Sequence, residues 1–315
     1  MKSTRDRLVL NDALAVVVVF LLLSFSLTAQ AGPVNLPPVN LGDTSFEDGI
    51  AYPGWLFEET VDYYHAGQFD GPQGGKIPGS NKLTTISAIT HLAYLSKYRI
   101  LGGYLGAEVL LPVVDADLST SFQPHSRAWG VGDLTVSPFI LQWNDQKLFN
   151  MPYFHRLDMV LILPTGQYDA NRAINPGNNM VSLNPYYAFT ILPSDKLEIS
   201  ARLHYLWNSE NDNPYTGLDA GSTQPGQAFH ANFAASYEII RHLRVGVSGY
   251  ALQQFTDDKL NGHTLADSEE RVFGVGPGLV FNSGTLWIYL NSYFETGVEN
   301  RPEGIKTTLR ISKAF

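Results

Sequence analysis

In the stretch KLEISARLHYLWN, Leu197, Ile199, Ala201, Leu203, Tyr205 and Trp207 alternate with Glu198, Ser200, Arg202, His204 and Asn208. A period of two held this long puts one face of an extended strand against apolar surroundings and the other against polar ones, and leaves no 3.6-residue stripe for a helix. The same rhythm runs through QAFHANFAASYEI, HLRVGVSGYA and MVSLNPYYAFTI. Twelve such segments are expected, near 54–64, 83–96, 99–112, 128–143, 152–164, 180–192, 196–208, 228–240, 242–254, 269–281, 284–295 and 304–315. Most run to about 11 to 15 residues, well beyond the five or six of a typical globular strand and enough to cross a bilayer at a tilt of about 45°.

The connections between these segments alternate in length. Long Gly/Pro-rich or polar stretches such as HAGQFDGPQGGKIPGSN, TGQYDANRAINPGNN and SENDNPYTGLDAGSTQPG are followed by tight turns around SKY, PSD, IRH and NSG, and a moderate loop, GVENRPE, precedes the last segment. Short turns at one end and long loops at the other are the pattern of an up-and-down barrel in a bacterial outer membrane, and an even strand number puts both termini in the periplasm. The expected fold is therefore all-β: a transmembrane antiparallel up-and-down β-barrel of 12 strands over residues 54–315, in contact with outer-membrane lipid and lipopolysaccharide.

The amino-terminal end agrees with that destination. Lys2, Arg5 and Arg7 precede an apolar run from Leu14 to Phe25, and Ala29-Gln30-Ala31 follows. A basic region, a short apolar core and an A-x-A site mark residues 1–31 as a cleaved secretory signal peptide. Residues 32–53 hold too many Pro and Gly for regular structure and form an irregular segment, periplasmic or tucked into the lumen as a plug.

Composition removes several function classes. The chain of 315 residues has no cysteine and a net charge of −9. Thiolate metal sites and disulfides are thereby excluded, and the absence of any Lys/Arg-rich run argues against nucleic acid as a partner. GPQGGKIP has the wrong spacing for a phosphate loop, and Asp115, Asp117 and Ser119 lack the glycine and glutamate of a calcium loop, so no cofactor and no metal are expected.

The last segment, EGIKTTLRISKAF, places Ile305, Thr307, Leu309, Ile311, Lys313 and Phe315 on one face. It resembles the closing strand of bacterial outer-membrane proteins, whose terminal Phe is read by the barrel-assembly machinery; Phe315 takes that role here and Lys313 departs from the pattern. Three further blocks fall in order: G-x-GDL within WGVGDLTVSPFILQW (129–143), LPTG-x-Y within RLDMVLILPTGQYDANRAINPGNN (156–179), and N-x-G-x-N at the end of that stretch, before PYYAFTILP (185–193). Together they resemble the MetA-like family of phenol meta-pathway proteins, outer-membrane transporters found with aromatic-catabolism genes. The resemblance implies a barrel and uptake of hydrophobic compounds, and brings no agreed set of functional residues.

Period two assigns the lumen. Glu108, Asp133, Asp158, Glu198, Arg202, His204, His230, Asn232, Glu238 and Arg244 have apolar neighbours at odd offsets and point inward, since a charge on the lipid face would cost a few kcal/mol near the midplane. The register set by the turn at Ile240-Arg241 puts Glu238 across from Arg244 and His204 near His230. Trp287 and Tyr289 are a further inward pair, offering stacking surface to an aromatic solute. Glu59 falls on the outward face. Ser200, Ser236, His204, His230 and Asn232 supply the residue types of a hydrolase, but a lipid-acting enzyme needs its nucleophile facing lipid, and these face inward. Asn175, Asn178 and Asn179 read as turn chemistry at a loop base. The function these observations favour is a non-enzymatic channel for passive uptake of small hydrophobic or aromatic compounds; a structural envelope barrel and a lipid-acting hydrolase are the alternatives.

Overall fold

The structure, a computed structural model, describes residues 34–315. The expected signal peptide, residues 1–31, lies outside the described residues. Twelve strands form the wall: β1 (Gly54–Phe69), β2 (Lys82–Ile100), β3 (Gly103–Ser119), β4 (Ser126–Val131 and Leu134–Leu148), β5 (Met151–Asp158 and Leu161–Leu163), β6 (Ser182–Leu183 and Tyr186–Ile191), β7 (Leu197–Asn208), β8 (Ala228–Ile240), β9 (Leu243–Gln254), β10 (Arg271–Ser283), β11 (Leu286–Glu299) and β12 (Pro302–Ala314). Each pairs antiparallel with the next, and β12 pairs with β1 from Ala314↔Leu56 to Pro302↔Phe69, so the sheet closes on itself. Beyond the last assigned strand residue, Phe315 and Trp55 exchange backbone hydrogen bonds of 2.9 and 3.3 Å. Closure leaves no unpaired strand edge, the condition for a sheet to survive in lipid.

The start of β1 and the end of β12 share one end of the barrel with the short turns; we call it the terminal end. Type I′ turns, with φ positive at both central residues, match the twist of the strands they join. Leu101-Gly102 (φ 52° and 82°) and Phe149-Asn150 (φ 52° and 65°) have this geometry. The first turn thus lies past the polar SKY stretch, and the β2–β3 register shifts between Leu95 and Arg99 to reach it.

At the loop end the strands run further than periodicity indicates. β1 continues to Phe69, β3 continues to Ser119, β4 begins at Ser126, and only residues 300–301 separate β11 from β12. Asp and Gly in these stretches look like loop chemistry, yet the extended β3–β4 ladder is laced by Arg127 to Asp115 (2.8 Å) and His125 to Asp117 (3.0 Å). Residues 223–224, 259–260 and 263–264 make a small separate sheet above the wall.

The distribution of side chains is inverted relative to a soluble protein. Trp55, Phe57, Val61, Leu203, Phe229, Val247, Leu290 and Ile311 are exposed on the outside, while Glu58, Asp158, Glu198, Ser200, Asn232, Thr308 and Ser312 are buried inside. Lipid replaces water around the first set, and lumen hydrogen bonds satisfy the second. Glu59 does lie on the outer face, where Thr90 donates a 2.9 Å hydrogen bond to it from the neighbouring strand.

Candidate functional site

Residues 34–53 run inside the barrel, from the loop end down to the start of β1. At the loop end Leu36 and Leu41 pack with Leu206, Tyr250, Leu252, Tyr293 and Val298, and the Leu36 N–H donates to Glu270 (2.7 Å). Gly42 is the hinge of this contact. Its φ is +85°, and a Cβ there would lie 2.6 Å from the Tyr293 ring, so only glycine fits. Its N–H donates to Asn232 (2.9 Å), and its carbonyl accepts from the Tyr293 hydroxyl (2.8 Å).

Lower down the contacts become ionic. Lys306 pairs with Asp43 and lies 3.5 Å from Asp62. Phe46 packs with Ala234, Val280 and Tyr289, in space left by Gly278, where a Cβ would come within 2.9 Å of the Phe46 ring. Gly278 therefore makes room inside the wall, and Phe46 takes part of it. Asp48 accepts from Arg202 through Nε (2.8 Å) and Nη2 (2.5 Å). The Gly49 N–H donates to Thr190 (2.8 Å) and the Gly49 carbonyl accepts from Gln142 (2.8 Å). Burial pushes the Glu47 carboxyl up, with Arg244 opposing the effect from 3.8 Å.

Below this segment, at the terminal end, the barrel holds a cavity of about 500 Å³. Its lining mixes aromatic and charged groups: Phe46, Trp287 and Tyr289 with Glu58, His91, Glu108, Arg156, Arg202, Arg244 and Arg310. The charges are organised by pairs. His91 bridges Glu58 (2.6 Å) and Glu108 (3.0 Å); Arg310 stacks over the Tyr289 ring at 4.0 Å and lies 3.5 Å from Glu58. Arg202 stacks over Tyr186 at 4.1 Å, and Arg156 approaches the same ring at 5.5 Å. Stacking on an aromatic face holds a guanidinium while leaving its donor edge available.

Several residues assigned inward from the sequence meet one another in the structure. Glu198 accepts from Ser200, from Ser236 (2.6 Å) and from the Glu47 N–H (2.9 Å). His204 pairs with His230 in register and their rings stack with centroids 4.1 Å apart. Glu238 lies opposite Arg244, but its carboxylate accepts from the His242 N–H (3.0 Å), while Arg244 donates to Ser236 (3.0 Å) and the Lys196 carbonyl (2.9 Å). Asp158 accepts from Ser137. Both serine hydroxyls proposed for a hydrolase go to Glu198, and neither reaches an imidazole.

Asp133 is placed differently. It sits in the break of β4 and is committed to the loop base: its carboxylate accepts from the Gly166 N–H (2.9 Å), the Asn178 N–H (2.8 Å) and Asn178 Nδ2 (3.0 Å). Sequence reasoning overlooked Glu58, His91, Arg156, Tyr186 and Arg310, which the same alternation marks as inward, and it overlooked Asp43 and Asp48, which lie in a segment without periodicity.

Residues 66–311 match the sequence profile of the family described as "Putative MetA-pathway of phenol degradation". The chain belongs to this family. No curated protein sequence matches it. Among solved structures, it is similar to the crystal structure of an outer membrane channel from Pseudomonas putida F1, with a TM-score of 0.75, 18% identity, and coverage of 88% of this chain and 100% of that one. It is also similar to the transport unit of the autotransporter AIDA-I from Escherichia coli, with a TM-score of 0.50, 11% identity, and coverage of 82% and 90%. At these identities the likeness establishes the barrel fold. The three blocks that resemble the MetA family, G-x-GDL, LPTG-x-Y and N-x-G-x-N, meet in space at Asp133, Gly166 and Asn178. In this member of the family they tie loop bases together and do not line the cavity.

Proposed function

We propose that the protein is a bacterial outer-membrane channel for passive uptake of small hydrophobic or aromatic compounds. The observation that carries this reading is the cavity of about 500 Å³ inside a closed barrel, lined by aromatic rings as well as charges. A twelve-stranded wall encloses a narrow lumen, between the side-chain-filled interior of eight strands and the open pore of sixteen, so the cargo is small. The family's link to phenol degradation supports an aromatic solute, and the Pseudomonas putida relative of the same fold is itself described as a channel. Trp287, on the cavity wall beside the Arg310-covered ring of Tyr289, offers the stacking surface.

In this reading residues 1–31 are removed on export, the terminal end faces the periplasm, Phe315 is presented to the assembly machinery, and residues 32–53 remain as a plug. The outer band meets lipid and lipopolysaccharide. The passage we propose needs no covalent step, and Ser200 and Ser236 donate to Glu198, so neither of these two is paired with a histidine as a nucleophile would be. The test is flux into liposomes for phenols, alkylbenzenes and sugars against empty vesicles. Selective acceleration of the aromatic members is expected; folded protein that accelerates none of them would leave a structural barrel as the better account.

A further inference from the structure

Among the described residues, Arg202 has no wall carboxylate within ion-pair distance, although Glu108 acts on it from farther off. Among the described residues, the only carboxylate within ion-pair distance of its guanidinium is that of Asp48, which belongs to the interior segment and is held through two parallel N–H···O bonds. Arg156 completes the arrangement: its Nη2 donates to the Asp48 carbonyl (3.1 Å) and lies 3.8 Å from Asp48 Oδ1, while its Nε donates to the Tyr186 hydroxyl (3.1 Å). Two guanidinium groups and one tyrosine therefore form a rigid, inward-facing fork, and the anion that fills it is carried on the plug rather than on the barrel.

A buried guanidinium without a partner is strongly unfavourable, and the fork geometry matches a carboxylate in shape as well as charge. The site is also within reach of a solute. Asp48, Arg156 and Arg202 line the same cavity as Phe315 at the terminal-end mouth. Its volume falls within the roughly 300–1,000 Å³ of small-molecule sites. Phe46, Trp287 and Tyr289 supply apolar walls beside the fork.

We propose that Arg202 and Arg156, braced on Tyr186, are a binding subsite for the carboxylate of a small aromatic acid, and that Asp48 is a built-in stand-in for that ligand. Arrival of the solute carboxylate displaces Asp48 and frees the plug at its lower anchor. This rests on the channel reading above and names the solute's charged group and the residues that select it. A neutral phenol of similar size enters the cavity but has nothing to exchange for Asp48.

The test uses purified full-length protein, with benzoate as probe and benzyl alcohol as the uncharged control of similar size. By calorimetry, Asp48→Asn binds benzoate on the order of tenfold more tightly than wild type, because the internal competitor is gone, and benzyl alcohol affinity stays the same. Adding Arg202→Gln to Asp48→Asn removes the gain. Equal benzoate affinity in wild type and Asp48→Asn, or a gain that survives loss of Arg202, overturns the proposal. A second measurement keeps Asp48 in place. The chain has no cysteine, so a Ser45→Cys variant carries a single thiol at a buried plug position. Benzoate speeds maleimide labelling of that thiol several-fold and benzyl alcohol does not; a rate unmoved by benzoate overturns the proposal. Liposome flux separates the two readings: benzoate-specific binding without flux of any aromatic solute sinks the channel and leaves the subsite, whereas aromatic flux with no Arg202-dependent binding sinks the subsite alone.

Discussion

The upper and lower halves of the lumen are enclosed by the same twelve strands and filled in opposite ways. Toward the loops, Leu36 and Leu41 pack against Tyr250, Leu252 and Tyr293, so the interior resembles a soluble protein's core. Toward the terminal end, Asp48 meets Arg202 and Arg156, and a cavity remains. Apolar packing is indifferent to solute charge and to salt, whereas ion pairs can be exchanged for other ions. On the displacement proposed above, the Asp48 contact is the one a solute exchanges, while the apolar contacts of Leu36 and Leu41 hold the segment at the loop end.

The largest blow to that contrast is removal of residues 34–50. Single-channel conductance should rise on the order of tenfold, as a side-chain-filled interior gives way to a water-filled one; an unchanged conductance would mean that the segment blocks nothing. Next, Lys306→Met leaves Asp43 and Asp62 facing one another without a cation, and should lower unfolding stability by about 3–5 kcal/mol, as expected for breaking a buried pair, in urea titrations of refolded barrel. In the upper half, Leu206→Ala removes a fully buried side chain and should cost about 2–4 kcal/mol by the same titration while leaving conductance as it was. If it opened the channel instead, the upper half would be part of the gate.

The smallest effect concerns acidity above the wall. Burial, with Glu270 adding to it, pushes the Asp258 carboxyl up to about 7, while it accepts from the Gly226 N–H (2.8 Å) and Gln254 Nε2 (2.7 Å). An unfolded Asp ionises near about 3.9, so between about pH 4 and 7 the folded loop holds a proton that the unfolded one has lost. Loop stability should therefore fall as pH rises through that window. Hydrogen exchange at the Gly226 amide would report it, and Asp258→Asn should flatten the dependence.

Much of this molecule is written in its alternation. Period two was enough to count the strands, and the same alternation runs through the pairs Glu238–Arg244 and His204–His230 and the buried Glu198 and Arg202. Strand ends were harder to read, because Asp115 and Asp117 look like loop residues until Arg127 and His125 are seen across the ladder. Asp133 escaped for another reason: at a strand break the alternation no longer assigns a face. The lower half of the site was least legible. Arg202 announces an inward charge, but its partner Asp48 is 154 residues earlier, in a stretch with no period to show which way it points.

Residues 34–53 are covalently continuous with β1 at Gly54, at the terminal end. Whatever dislodges them cannot carry them away. A short tether keeps the segment at an effective concentration in about the millimolar range near its own binding surface, so reclosing is a first-order event that does not depend on how many copies the membrane holds. On the proposed displacement, each barrel is its own clock: how long it stays open is set by the occupancy of its interior and by the length of one leash.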